Sequence, residues 1–130
     1  MKGMLEMMVM PYLRFHGNCE EAFKFYAECF GSHHLSFSRF NKDPNNPIMH
    51  AHLQFTETSG IAGSDGDAPK PENLDILVIF KTREEVDSVF AKLSVGAKST
   101  SEFKPHPPPD DAGGGASVVD KYGYSWFLCV

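Results

Sequence analysis

No run of lysine or arginine occurs in this chain of 130 residues, where 12 basic side chains stand against 17 acidic ones for a formal charge of −5. Capturing a nucleic-acid backbone or an anionic membrane takes clustered positive charge, so neither is an expected partner. No segment approaches the roughly 20 apolar residues that span a bilayer, and Met1 to Met10 lacks both the apolar run and the cleavage site of a signal peptide. A cytoplasmic location is expected. Cysteine is scarce. Cys19, Cys29 and Cys129 are odd in number and form no close metal-type pair, which disfavours a disulfide framework or a zinc knuckle and leaves reduced thiols as the default.

What the chain does have is a duplication. Residues 18–30 and 82–94, 64 positions apart, spell the same helix. Asn18 with Glu21, and Thr82 with Glu85, place a capping side chain three residues ahead of a carboxylate, the signature of a helix start. Ala22, Phe25, Tyr26 and Cys29 then recur as Val86, Val89, Phe90 and Leu93, one core-facing stripe of a 3.6-residue period. Extended segments, Tyr12 to Phe15 and Ile76 to Phe80, lead into the helices at the matching offset.

The remaining segments fill in each half. Pro11 removes a ladder donor from the first strand and marks it as an edge or an irregular pairing, while Gly31 and Gly96 close the two helices. His34 to Phe40 has strand composition. Met49 to Thr56 alternates, with Met49, Ala51, Leu53 and Phe55 on one face and His50, His52, Gln54 and Thr56 on the other. Gly60 to Ser64 is a short strand, and the polar, proline-rich stretch Asp65 to Asn73 separates the repeats. Ala97 to Phe103 is extended, and Pro105 to Gly115 is a loop whose three consecutive glycines are read as a flexible rim. Ala116 to Val130 is a hairpin turning around Lys121 to Gly123. The predicted fold is α+β: one domain over 1–130, with module one over about 7–65 and module two over about 74–130. Each module reads βαβββ, and the pair forms a curved, mostly antiparallel eight-stranded cup with two helices on its outer face. The concave side of such a cup is where a small molecule is expected to bind.

GNCEEAFKFYAECFG at 17–31, MHAHLQF at 49–55, IAGSD at 61–65 and DKYGYSW at 120–126 occur in this order. Together with the duplication they resemble the PhnB-like branch of the vicinal oxygen chelate superfamily, which holds glyoxalase I, bleomycin- and fosfomycin-resistance proteins and extradiol dioxygenases. The resemblance runs nearly end to end and implies paired βαβββ modules, commonly in a homodimer. It also implies, in metal-using relatives, one cation ligand from the first and fourth strand of each repeat. Those places fall here at Met10, Ala62, Asp75 and Phe127, of which only Asp75 offers a donor for a hard or borderline metal, so no metal site and no cofactor are expected. The branch often carries a demethylubiquinone methyltransferase-like label. The chain, however, has no strand followed by a glycine-rich turn opening a helix, the usual cradle of a nucleotide-bearing methyl donor.

Six residues are expected to line a ligand site: Tyr12, Arg14, His50, His52, Asp75 and Trp126. Arg14 can hold a carboxylate or phosphate in bidentate fashion, and its place resembles that of an active-site arginine of glyoxalase I, with the Tyr12 hydroxyl beside it; a surface ion pair and ordinary packing are their bland alternatives. His50 and His52, at i and i+2, point the same way and can serve as an acid-base or ligand-orienting pair, or be solvated sheet residues. Asp75 either sits buried with a partner or lies at a solvated strand end. Trp126, with Tyr124, alternates against Phe127, so one set is core and the other can stack on a ligand. Cys19, in the first helical turn, has a thiol whose pKa the helix dipole can lower, although no base lies near it in sequence. The expected function is metal-free binding of a small apolar or aromatic compound, anionic where Arg14 engages it. A metal-dependent lyase, isomerase or dioxygenase with an atypical ion site, and a dimerising interaction module, are the alternatives.

Overall fold

The computed structural model describes residues 7–110 and 112–130; Met1 to Glu6, part of the stretch read for a signal peptide, lie outside them. The chain falls into two compact units that meet between Pro69 and Lys70. Unit one runs β1 (Tyr12–Phe15), α1 (Cys19–Phe30), β2 (His34–Arg39), β3 (Ile48–Gln54) and β4 (Gly60–Asp65). Unit two runs β5 (Asp75–Ile79), α2 (Arg83–Leu93), β6 (Ser99–Pro105), β7 (Gly114–Val119) and β8 (Ser125–Cys129). The eight strands divide into two four-stranded sheets, ordered β1-β4-β3-β2 and β5-β8-β7-β6, each with one parallel pair at its first strand and antiparallel pairs elsewhere. This is the α+β arrangement of two tandem βαβββ modules. Pro11 precedes an edge strand, where its missing donor costs nothing, and its carbonyl accepts from the Ala62 amide at 3.0 Å.

Period-2 alternation gives each sheet one helix-covered face and one open face. In module one, α1 covers Leu13, Phe15, Ala51, Leu53 and Ile61, all buried. Its own buried stripe is Cys19, Ala22, Phe23, Tyr26 and Cys29. Phe23 takes the core place expected of Phe25 because Gly63, beneath it on β4, has no side chain: a Cβ there would meet the Phe23 ring at 2.9 Å. Phe23 then stands edge-on to Phe15 and Tyr26, with ring centroids 6.1 and 6.0 Å away. Met49 departs from the expected alternation. A register shift opposite Ser38 and Arg39 turns it outward to 47% exposure and puts Ile48 in the core instead.

The two helices start differently. Thr82 and Glu85 form the expected capping box. Asn18 makes no side-chain cap, and Asp65 at the end of β4 replaces it: Oδ1 accepts from the Gly17 and Cys19 amides at 2.9 and 3.0 Å, and Oδ2 from the Ile48 amide at 3.0 Å. A carboxylate expected to open the linker is thus the buried tie between β4, α1 and β3. The strand-to-helix connection of module one also holds one more residue than that of module two. Tyr12 pairs with Ala62 and Leu77 with Phe127, so equivalent strand positions lie 65 apart although the helices lie 64 apart. Gly17, at φ 95°, occupies that longer turn.

In module two, α2 packs on β7 and β8 over Ala116, Val118, Trp126 and Leu128, and contributes Val86, Val89 and Leu93. The glycines read as a flexible rim have a packing role. Gly115 is in β7, and a Cβ there would lie 2.6 Å from the Phe127 ring and 2.9 Å from Cys129 Sγ.

Candidate functional site

On the open face of module one, β1 presents Tyr12 and Arg14, the adjoining β4 presents Ala62 and Ser64, and β3 presents His50 and His52. The β4 residues are small, so the side chains on either side of them can close over the strand. The Tyr12 and His50 rings come within 5.9 Å of each other, and the Arg14 guanidinium lies 5.7 Å from the centre of the Tyr12 ring, inside cation–π range. Tyr12, Arg14 and His50 are exposed, and His52 is half-buried. Four of the six residues expected to line a site therefore share one surface. That row offers a planar cation, an aromatic plane with a hydroxyl, and two imidazoles.

The other two candidates are elsewhere. Asp75 is exposed at the start of β5 and accepts a hydrogen bond from the Ser125 hydroxyl on β8, the solvated strand end that was its second reading. Trp126 requires correction as a ligand-stacking residue. It is fully buried beneath α2, and its indole N–H donates to Asp120 Oδ2 at 2.9 Å. The same Asp120 carboxylate receives the Tyr122 and Tyr124 amides at 2.8 and 3.0 Å, so Trp126 helps to fix the β7–β8 turn. Phe127 is the member of that hairpin on the open face of module two, where Leu77 and Ile79 are 55% and 74% exposed. The equivalent face of module two thus carries exposed Leu77 and Ile79 in place of the arginine and imidazoles of module one, with Asp75, Ser117 and Ser125 on the same face.

Cys19 is the reverse of an activated thiol. Burial, reinforced by the Asp65 and Glu20 carboxylates, pushes it up to about 12, which outweighs any help from the helix dipole. Burial also raises Cys129. Glu20 is held below the usual carboxylate range by hydrogen bonds from Lys24 and Arg39, at 2.8 and 2.6 Å, the second of which ties α1 to β2.

The places the resemblance gives to a cation hold a thioether, a methyl, a carboxylate and a phenyl, at Met10, Ala62, Asp75 and Phe127. Among the described residues no three His, Cys, Asp or Glu side chains converge on a point that could hold a metal ion. This donor set does not fit the group. Beyond the expected residues, an open concavity of about 630 Å³ lies at the β2 side of module one, with His33, His34 and Ser36 across from His52. Sequence reasoning passed over it, although the alternation of His34, Ser36 and Ser38 along β2 carries the signal of a polar face.

A family model described as 3-demethylubiquinone-9 3-methyltransferase matches residues 7–129. A solved structure described as a putative 3-demethylubiquinone-9 3-methyltransferase, PhnB protein, from Bacillus cereus is 26% identical with a TM-score of 0.69, covering 94% of this chain and 98% of that one. Protein PA1353 from Pseudomonas aeruginosa, at 24% identity and a TM-score of 0.78, covers 95% of this chain and 96% of its own. The fosfomycin resistance protein FosX from Listeria monocytogenes, solved with Mn(II) and sulfate, shares the fold at 16% identity and a TM-score of 0.66, over 98% and 93% of the two chains. No functionally curated protein matches the chain. Among the described residues, no helix is long and apolar enough to cross a membrane.

Proposed function

The chain belongs to the 3-demethylubiquinone-9 3-methyltransferase family, the PhnB-like branch of the vicinal oxygen chelate superfamily, and from that premise we propose that it binds a small organic acid on the open face of module one without a metal ion. The observation that carries this reading is the row Arg14, Tyr12 and His50, held at 5.7 and 5.9 Å spacings on a surface floored by Ala62 and Ser64. A guanidinium pairs with a carboxylate through two parallel N–H donors. An adjoining aromatic plane accepts the apolar body of the same molecule. His52 stands beside them as a further ring N–H donor. The donor set at Met10, Ala62, Asp75 and Phe127 supports the metal-free part of the reading, because it leaves one carboxylate to do the work of several ligands.

A homodimer belongs to the same reading, supported by the exposed Leu77 and Ile79 on the module-two face, since exposed apolar patches mark interaction surfaces. A cytoplasmic location belongs to it too, supported by three cysteines that form no disulfide. The test is a thermal-melting screen of small aromatic and aliphatic acids, paired with elemental analysis of the purified protein. Ligand present at about 100 times its Kd is expected to add about 2.7 kcal/mol of stability, and Arg14→Ala to cut that gain to about 1.4 kcal/mol or less. Stoichiometric metal in the purified protein, with melting shifts that appear only when the metal is present, would establish the metal-dependent alternative instead.

A further inference from the structure

We propose that the acid bound on the open face of module one is a hydroxylated one, a sugar acid, whose hydroxyl groups are read by Ser36, Ser38 and Ser64 together with His50 and His52. This rests on the acid-binding reading of that face and names the class of acid. Residues paired across neighbouring strands point to the same side of a sheet. Tyr12, Ala62, His52 and Ser36 are paired in turn across all four strands and make one continuous row. Two residues along each strand, the adjoining row runs from Arg14, paired with Ser64, to His50, paired with Ser38. Apart from the Ala62 methyl, every side chain in the two rows carries a hydrogen-bonding group.

Contact with water does not by itself demand this, since the equivalent face of module two exposes Leu77 and Ile79. Nor do these groups serve the fold. Among the described residues, the side chains of Ser36, Ser38, Ser64, His50 and His52 make no hydrogen bond within the protein. Ser64 is half-buried on β4, between β1 and β3, which stand two strand spacings or about 9.5 Å apart. The Tyr12 and His50 rings lean over that strand to within 5.9 Å of each other. A carboxylate held by Arg14 therefore leaves the body of its molecule over Ser64, His50 and His52, where each hydroxyl it carries meets a donor or an acceptor. An apolar body in the same place would strip water from these groups and leave them unpaired, which is how a polar site rejects a ligand lacking the matching hydroxyl. One face of a sugar ring is mostly C–H, and Tyr12 offers the aromatic plane that suits it.

Glucuronate and cyclohexanecarboxylate form the test pair, each a six-membered ring bearing one carboxylate, with hydroxyls and without. Binding is followed on the full chain through backbone amide shifts in two-dimensional NMR. Glucuronate is expected to give saturable shifts on β1, β3 and β4 and to bind at least about tenfold more tightly than cyclohexanecarboxylate. A net hydrogen bond is worth roughly two- to tenfold in affinity, so the double variant Ser38→Ala, Ser64→Ala is expected to reduce that preference to about threefold or less. Neither hydroxyl bonds to the protein, and the comparison of the two acids in the unaltered chain needs no variant at all. Arg14→Ala is expected to weaken both acids. Cyclohexanecarboxylate binding as tightly as glucuronate overturns the sugar-acid assignment and leaves the acid-binding reading intact. A preference that survives the double variant at full size overturns it as well. So does the absence of saturable shifts from either acid up to about 10 mM, in which case the melting screen alone decides the acid-binding reading.

Discussion

Replacing Asp65 by alanine removes one side chain and leaves three backbone donors without their acceptor. The Gly17 and Cys19 amides at the start of α1 lose Oδ1, and the Ile48 amide at the start of β3 loses Oδ2. Gly17 is exposed, so water can replace the carboxylate there. The bonds from Cys19 and Ile48 are buried, and a buried donor left unpaired costs about 1–3 kcal/mol. Two such donors put Asp65→Ala at about 2–6 kcal/mol, the Cys19 share being the loss of the helix cap itself. That is a large share of the roughly 5–15 kcal/mol available to a domain. Asp65→Asn keeps one carbonyl oxygen and turns an NH2 toward the remaining donors, so about 1–3 kcal/mol is expected. Urea unfolding followed by far-ultraviolet circular dichroism measures both, with Thr82→Ala as the reference for a cap that ties only its own helix. A loss for Asp65→Ala no larger than the roughly 1 kcal/mol expected of Thr82→Ala, at unchanged urea dependence, would refute the cross-tie.

Cys19 supplies a pH prediction. Its thiol stands at about 12 against a reference of 9.0, so folding favours the protonated form; the associated stability is complete below pH 9 and is lost as pH rises toward 12. Alkaline unfolding midpoints should therefore move upward in Cys19→Ala, and native protein at pH 8 should resist iodoacetamide at this position until it is unfolded. Gly115→Ala should destabilise by about 1–3 kcal/mol in thermal melting, since the added carbon would meet Phe127 and Cys129 at 2.6 and 2.9 Å. Trp126→Phe should cost about 2 kcal/mol through the lost bond to Asp120, yet leave ligand affinity unchanged by titration calorimetry.

The duplicated architecture was legible because it rests on local signals: caps three residues ahead of a carboxylate, helical stripes at matching offsets, and alternation along β3. These signals fail where a tertiary contact overrides them. Asn18 has the right residue type for a cap, but the Asp65 carboxylate arrives from β4 and takes the amides first. Phe23 rather than Phe25 enters the core because a glycine on another strand makes room for it. Gly115 looks like loop composition in sequence and proves to be the space that the Phe127 ring occupies. At the candidate site, strand parity put Tyr12 with Arg14 and His50 with His52, but that the two pairs share one face follows only from the β1–β4–β3 register. The place of Trp126 was not legible, because parity offered two faces and only the packing of α2 decides which one is covered. The concavity beside β2 escaped because it joins residues of two strands and a turn that no single periodicity connects.

The most direct test of metal-free binding by module one is titration calorimetry of chelator-treated protein, shown by elemental analysis to be free of divalent metal, with the best acid from the melting screen. Saturable binding that persists without metal and weakens at least about tenfold in Arg14→Ala, a loss of about 1.4 kcal/mol, is the expected result. Binding that vanishes on chelation and returns only with one equivalent of a divalent cation would contradict it.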